Sequence, residues 1–262
     1  MTITSIRDAK QYYFKYDVDK RIKQDQAHLI EFYTSLKTIS KYVSKESKIL
    51  EIGCGTGNYS IELADKCKSL LAVDLMDNLL DVLRMKTKRT KCRNISCMQL
   101  NILDIGSKIK EKFDIILCMG PLYHLNKKND RKKCFNNLKK LAHKDTIFIF
   151  TYITSSAPLS GVFKGKLSLQ SFFDIYQKGN GYLSPFYFSS PQNTEKEILQ
   201  NKFEILEHKA LDPLSSFFLN EVNMFNEQQY KEFVHTLSEN NTKSELLLLS
   251  SHNMIIAKMK EN

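Results

Sequence analysis

No stretch of 18 apolar residues occurs in the 262-residue chain, which leaves no membrane-spanning helix of ordinary length. Cysteine pairing is missing too. The six cysteines (54, 67, 92, 97, 118 and 134) show no C-x-x-C, and Cys92 and Cys97, separated by four residues, have no second pair to complete a zinc site. Residues Met1 to Asp8 lack the basic-then-apolar shape of a signal peptide. The expectation is a cytoplasmic protein with reduced thiols, no bound metal and no membrane partner.

Arginine is scarce. The net charge of +10 would suit nucleic acid, yet only six of the 39 basic residues are arginine (7, 21, 84, 89, 93 and 131). The densest basic run, Lys86 to Arg93, has no interleaved aromatics and reads first as a solvated surface. Nucleic acid is therefore a possible partner that the charge pattern does not favour. Apolar residues, at 42%, suffice for a full core, and the length fits one α/β domain with an added helical or loop segment.

Glycine is also sparse, and this makes its clustering informative. Of nine glycines, three stand at alternate positions, 53, 55 and 57, straight after the apolar run Lys48-Ile49-Leu50-Glu51-Ile52. Such a turn carries no Cβ where a ligand must touch backbone, and its amides point toward the start of the helix that follows. A second acid, Asp74, closes the next apolar run, Ser69 to Asp74. A strand–glycine loop–helix–strand–acid unit is how α/β sheets hold the ribose of a nucleotide-like cofactor. The spacing here is G-x-G-x-G rather than the dinucleotide G-x-G-x-x-G. Glu51, two residues ahead of the first glycine, would repel a pyrophosphate and suits a ligand with an ammonium and a sulfonium.

These residues resemble motif I of the class I S-adenosylmethionine (SAM) methyltransferases, and Val73-Asp74-Leu75 resembles their motif II. Two more matches follow in order: Met98 to Ile105, and Lys112 to Leu125, which holds Phe113-Asp114-Ile115-Ile116-Leu117 and then Gly120-Pro121-Leu122-Tyr123-His124-Leu125. The latter is similar to a bacterial subgroup in which G-P-[LM]-Y-H-L follows the fourth strand. Tyr16 to Arg21, Phe186-Tyr187-Phe188 and Ser250-Ser251-His252-Asn253 agree with that subgroup. The resemblance implies a Rossmann-like sheet of seven strands with helices on both faces, N-terminal helices and an aromatic lid insertion after strand five.

Periodicity fills in the rest. Leu29, Phe32, Tyr33, Leu36, Ile39 and Val43 recur at helical spacing, so residues 1–46 are expected to be a helical cover over the cofactor mouth. The cofactor-binding core is set at 47–153, with strands over 48–53, 69–74, 95–100, 113–118 and 146–153 and helices over 58–66, 76–88 and 128–142. Residues 154–200 hold eight aromatics up to residue 190 and are expected to form the substrate lid; a packed helical insertion with its own small core is the alternative. Residues 201–262 complete the sheet, with strands over 203–210 and 253–258.

The resemblance assigns the cofactor as SAM, with S-adenosylhomocysteine as product. Gly53, Cys54, Gly55 and Gly57 would pass close to its methionyl part, and Glu51 would favour the ammonium. Asp74 would accept the ribose hydroxyls, Leu75 and Met76 would pack on the adenosine, and Asn101 with Ile102 would read the adenine edge. Cys118 lies at the end of the fourth strand beside them. Tyr16 or Arg21 would reach the methionine carboxylate. Tyr123 would present its ring to the sulfonium; His124 is either a general base or a structural hydrogen-bonding residue. The expected activity is methyl transfer to N or O of a small molecule; methylation of RNA or protein, or SAM binding without catalysis, are the alternatives.

Overall fold

The computed structural model describes residues 3–15 and 24–260. Strands β1 (Lys48–Ile52), β2 (Ser69–Asp74), β3 (Ile95–Gln99), β4 (Phe113–Cys118) and β5 (Ala142–Thr154) lie parallel in the order β3-β2-β1-β4-β5. Parallel neighbours need long crossovers, and helices supply them: α3 (Asn58–Ala64), α4 (Asp77–Thr90), the single turn α5 (Ile105–Lys108) and α6 (Lys128–Lys140). Ahead of them run α1 (Ile3–Lys15) and α2 (Gln26–Ser40), the latter capped by the Asp25 carboxylate.

Strand alternation sorts the core into two layers. Leu50, Ile52, Ile116, Phe148 and Phe150 meet α6 through Cys134, Phe135 and Leu138. Ile49, Leu70, Ile115, Leu117 and Ile149 meet α2, α3 and α4 through Ile39, Leu63, Leu80 and Leu83. Both faces are covered, as near-continuous apolar strands demand.

The chain beyond β5 departs from the expected seven strands. It forms α7 (Pro158–Phe163), α8 (Leu169–Lys178) and a hairpin of β6 (Asn180–Leu183) and β7 (Phe186–Ser189), then α9 (Pro191–Gln200) and β8 (Phe203–Ala210). Three helices follow, the short α10 (Leu219–Asn223), the longer α11 (Glu227–Asn240) and the short α12 (Ser244–Leu248), and β9 (His252–Met259) ends the sheet. Antiparallel β9 pairs β5 and β8, completing the seven. The hairpin makes nine: β7 pairs with Ile153 and Thr154 of β5, past the end of β4. It occupies the lane that β4 vacates, so Phe186 and Phe188 stand above the carboxyl end of β4. The insertion's apolar side chains also fill a small cluster, where Ala157, Ile175 and Phe188 pack with Ile153.

No helix among the described residues is long and apolar enough to cross a membrane.

Candidate active site

A cavity of about 380 Å³ opens at the carboxyl ends of β1, β2 and β4, where ligands bind in such sheets. The loop after β1 shapes its floor. Gly53, Gly55 and Gly57 have φ of +77°, +54° and +76°. At Gly53 an added Cβ would lie 2.8 Å from Pro121 Cδ, so the loops after β1 and β4 touch only because the side chain is missing. Gly57 does not line the cavity: it turns the chain into α3, and a Cβ there would lie 2.2 Å from Leu83 Cδ1.

Two buried acids flank the loop. Residues 49, 51 and 70, 72, 74 share the face toward α2, α3 and α4, so alternation carries Glu51 and Asp74 to the same side of the sheet. Asp74 accepts N–H bonds from Gly55 and Met76, each 2.8 Å; burial pushes its pKa up, and these backbone bonds hold part of that back. Glu51 accepts a hydrogen bond from Ser60 Oγ. Burial raises its carboxyl from 4.5 to about 7, and the charge of Asp74 adds to the rise.

Leu75, Met76, Asn101 and Ile102 line the cavity with Glu51, Gly53, Cys54, Gly55 and Asp74. Asn101 Oδ1 accepts the Leu103 N–H at 3.0 Å, which fixes the loop after β3. Cys118 does not join them. It shares the parity of Ile116, points into the opposite core layer and meets the buried thiol of Cys134. Its expected cofactor contact is corrected on that ground. Tyr16 and Arg21 lie outside the described residues.

The other end of the cavity is aromatic. Tyr123 and His124, in a 3-10 turn (Pro121–His124), face Tyr12 and Tyr13 of α1 and Phe186 of β7. Ring centroids are 5.1 Å apart for Tyr12–Phe186, 5.4 Å for Tyr13–His124 and 5.4 Å for His124–Phe186. His124 Nδ1 lies 3.0 Å from the Pro185 carbonyl. A carbonyl only accepts, so Nδ1 carries the proton and Nε2 accepts from Tyr13 Oη at 3.0 Å. Burial pushes the ring's pKa down to about 4. His124 is therefore a neutral ring tied at both nitrogens, which fits the structural role better than the general base.

The wall also carries Glu31 of α2 and His252 of β9. His252 Nδ1 lies 2.9 Å from Asp212 Oδ2 and 3.5 Å from Glu31 Oε2. Sequence reasoning touched His252 only as part of a terminal motif and passed over Glu31 and Asp212. Positions 31, 212 and 252 are too far apart for any spacing signal.

A family model described as a methyltransferase domain matches residues 43–206. The ubiquinone biosynthesis O-methyltransferase of Coxiella burnetii is 32% identical over 105 residues, 39% of this chain and 43% of that one. The Bacillus subtilis methyltransferase-named protein YqeM is 27% identical over 128 residues, 48% of this chain and 50% of that one. The chain thus aligns with half or less of these relatives' length. Among solved structures, the N-methyltransferase NodS of Bradyrhizobium japonicum WM9 with S-adenosyl-L-homocysteine superposes with a TM-score of 0.59 at 16% identity, covering 98% of this chain and 97% of that one. Magnesium protoporphyrin IX methyltransferase of Synechocystis PCC 6803, also with S-adenosylhomocysteine, gives 0.58 at 14% identity, covering 98% and 95%. At those identities the likeness is one of fold. The sheet order, the glycine loop between two buried acids and the match over residues 43–206 agree: the chain belongs to the methyltransferase-domain family and has the Rossmann-like fold of class I, SAM-dependent enzymes.

Proposed function

We propose that this chain transfers the methyl group of SAM to a nitrogen or oxygen of a small-molecule acceptor. The observation that carries the reading is one cavity with two chemically different ends, a glycine loop with two buried acids and an aromatic cluster. SAM supplies the electrophilic methyl on a sulfonium when bound. The chain's own residues fit that ligand: Glu51, a buried carboxyl held near neutrality, gains from a cation beside it. Asp74 keeps lone pairs for two ribose hydroxyls beyond the two amides it already caps. Asn101 and Ile102 border the adenine side, and Leu75 and Met76 give it apolar contact.

Positioning provides most of the rate. Holding nucleophile, methyl carbon and leaving sulfur in line lowers the barrier by roughly 7–11 kcal/mol. Tyr123 offers a ring face to the positive centre. The insertion at 154–200 and helix α1 serve as the cover that excludes water, since Phe186, Phe188, Tyr12 and Tyr13 come from them.

Calorimetric titration with SAM and S-adenosylhomocysteine tests the reading. Micromolar binding is expected, weakened about 10- to 100-fold in Asp74→Ala through loss of hydrogen bonds worth roughly 1.5–3 kcal/mol. No binding to the wild type would overturn it.

A further inference from the structure

Arg131, in the first turn of α6, stands behind the aromatic end of the cavity with only 8% of its side chain exposed. Its guanidinium meets three segments at once. Nε donates to both oxygens of Glu197 on α9, at 2.9 and 3.0 Å. Nη1 donates to the Leu125 carbonyl at 2.9 Å and Nη2 to Tyr187 Oη at 3.3 Å, with Cζ 4.0 Å from the centre of the Tyr187 ring. Leu125 ends the turn that carries Tyr123 and His124. Tyr187 stands between Phe186 and Phe188 on β7. Strand alternation sends those two into the cavity and Tyr187 the other way, toward Arg131. β7 pairs with β5 only through Phe188 and Ser189, so at Phe186 and Tyr187 its one strand neighbour is β6. On the open side, Arg131 is what ties this part of β7 to the turn after β4.

We propose that Arg131 is the positioning residue of the aromatic, acceptor-binding end. It sets the spacing between the Pro121–His124 turn and β7, and so between Tyr123 and Phe186, whose ring centroids lie 6.2 Å apart. This rests on the methyltransferase reading above. A planar fork serves a carboxylate, a carbonyl and a phenol in fixed directions, whereas a lysine ammonium is a point charge on a flexible stem. Stability is a weak reason for such a pair. Apolar side chains of similar volume often match or exceed a buried ion pair, although removing one partner alone is costly. The cofactor end is built without Arg131: Gly53 and Cys54 donate to the Val73 carbonyl, and Gly55 donates to Asp74. Loss of the fork should therefore separate the two ends. A displacement of about 1 Å in the groups that align the reactants costs about 100-fold in rate, with the cofactor still bound.

Binding of S-adenosylhomocysteine to wild type is measured first; its failure removes the methyltransferase reading and leaves the exchange measurement below to judge the tie itself. Arg131→Met strands Glu197 and should melt roughly 10 °C lower than wild type. Arg131→Met/Glu197→Met removes both charges and should regain most of that loss. Its S-adenosylhomocysteine affinity should stay within about 2-fold of wild type, as for separate sites. Amide hydrogen exchange in the double variant should nevertheless be about 10-fold faster or more over residues 121–125 and 186–189, and unchanged over 49–57 and 70–76. Transfer of tritiated methyl to a panel of amines and phenols should fall about 10- to 100-fold in kcat/KM for the acceptor. Arg131→Lys keeps a cation beside Glu197 yet should show the same losses, and it decides the matter where the double variant does not fold. Exchange needs no acceptor, so it also decides where the panel yields no product. An ion pair that serves stability alone would return exchange and turnover together with the melting temperature. Wild-type exchange over both segments, wild-type kcat/KM in either variant, or an equal loss at the cofactor end would each overturn the proposal.

Discussion

Glu51 should release a proton when the cofactor binds. The carboxyl is 2% exposed, and burial lifts its pKa from 4.5 to about 7. About half of the molecules therefore carry a proton on Glu51 at pH 7. An ammonium against that carboxyl favours the ionised form. If its pKa falls by about two units on binding, linkage gives release of roughly 0.5 proton at pH 7, about 0.8 near pH 6 and close to none above about pH 8. Calorimetric titrations in buffers of matched pKa but different ionisation enthalpy read this number as a slope. S-adenosylhomocysteine keeps the ammonium and lacks the sulfonium, so it should release as much as SAM; a smaller value would point to the sulfonium as the partner. Glu51→Gln should abolish the slope and so separate Glu51 from Asp74, whose pKa is also raised. An enthalpy independent of buffer at both pH 6 and pH 7 would refute the reasoning. Stability gives a second arm. The folded pKa lies above the unfolded one, so stability is fully present below pH 4.5 and is lost as pH rises to about 7. A shift of about 2.5 units amounts to roughly 3 kcal/mol. Cofactor-free Glu51→Gln should accordingly melt higher than wild type at pH 8 and equally at pH 4.5.

His124 has the opposite sign. Its folded pKa, about 4, lies below the ordinary 6.5, so its contribution is fully present above pH 6.5 and is lost as pH falls toward 4. The loss is about 3 kcal/mol, and urea melts of His124→Asn at pH 5 and 7.5 should show a shallower pH dependence than wild type. Gly57→Ala should destabilise by about 1–3 kcal/mol, because φ is +76° and the new Cβ meets Leu83; an unchanged melting temperature would refute this account of the turn. Tyr123→Leu should weaken SAM by about 2- to 30-fold while sparing S-adenosylhomocysteine, since a cation–π contact of roughly 0.5–2 kcal/mol needs the sulfonium charge. Equal loss for both ligands would assign Tyr123 to packing.

What was legible in the sequence was local. Strands buried on both faces read as apolar runs, so β1, β2 and β4 fell within a residue of their expected bounds. The glycines and Asp74 could be placed because turn, amide and acid lie within one crossover. Cys118 shows where a local reading stopped short: the alternation that puts Ile116 in one core layer and Leu117 in the other already assigns its side, yet proximity to the strand end had suggested contact. The hairpin escaped notice because its strands are four residues each and rich in aromatics, a composition shared by lids. The hairpin prolongs the sheet beside β5 and brings Phe186 to the cavity wall.

The histidines mark the boundary more sharply. His124 followed a recognisable motif and looked reactive, but its proton is fixed by a carbonyl 61 residues away, which no spacing reveals. His252 looked like the tail of a motif, and its partners sit at positions 31 and 212. The reactivity of an imidazole depends on which nitrogen is already bonded and to what, and such bonds are tertiary contacts. A motif can therefore mark a loop whose contacts are mostly backbone and local, while the surroundings of an imidazole emerge only when distant segments are brought together. The same division explains why Glu31, Asp212 and His252 had to wait for the fold: they come together only through the packing of α2 against the end of the sheet.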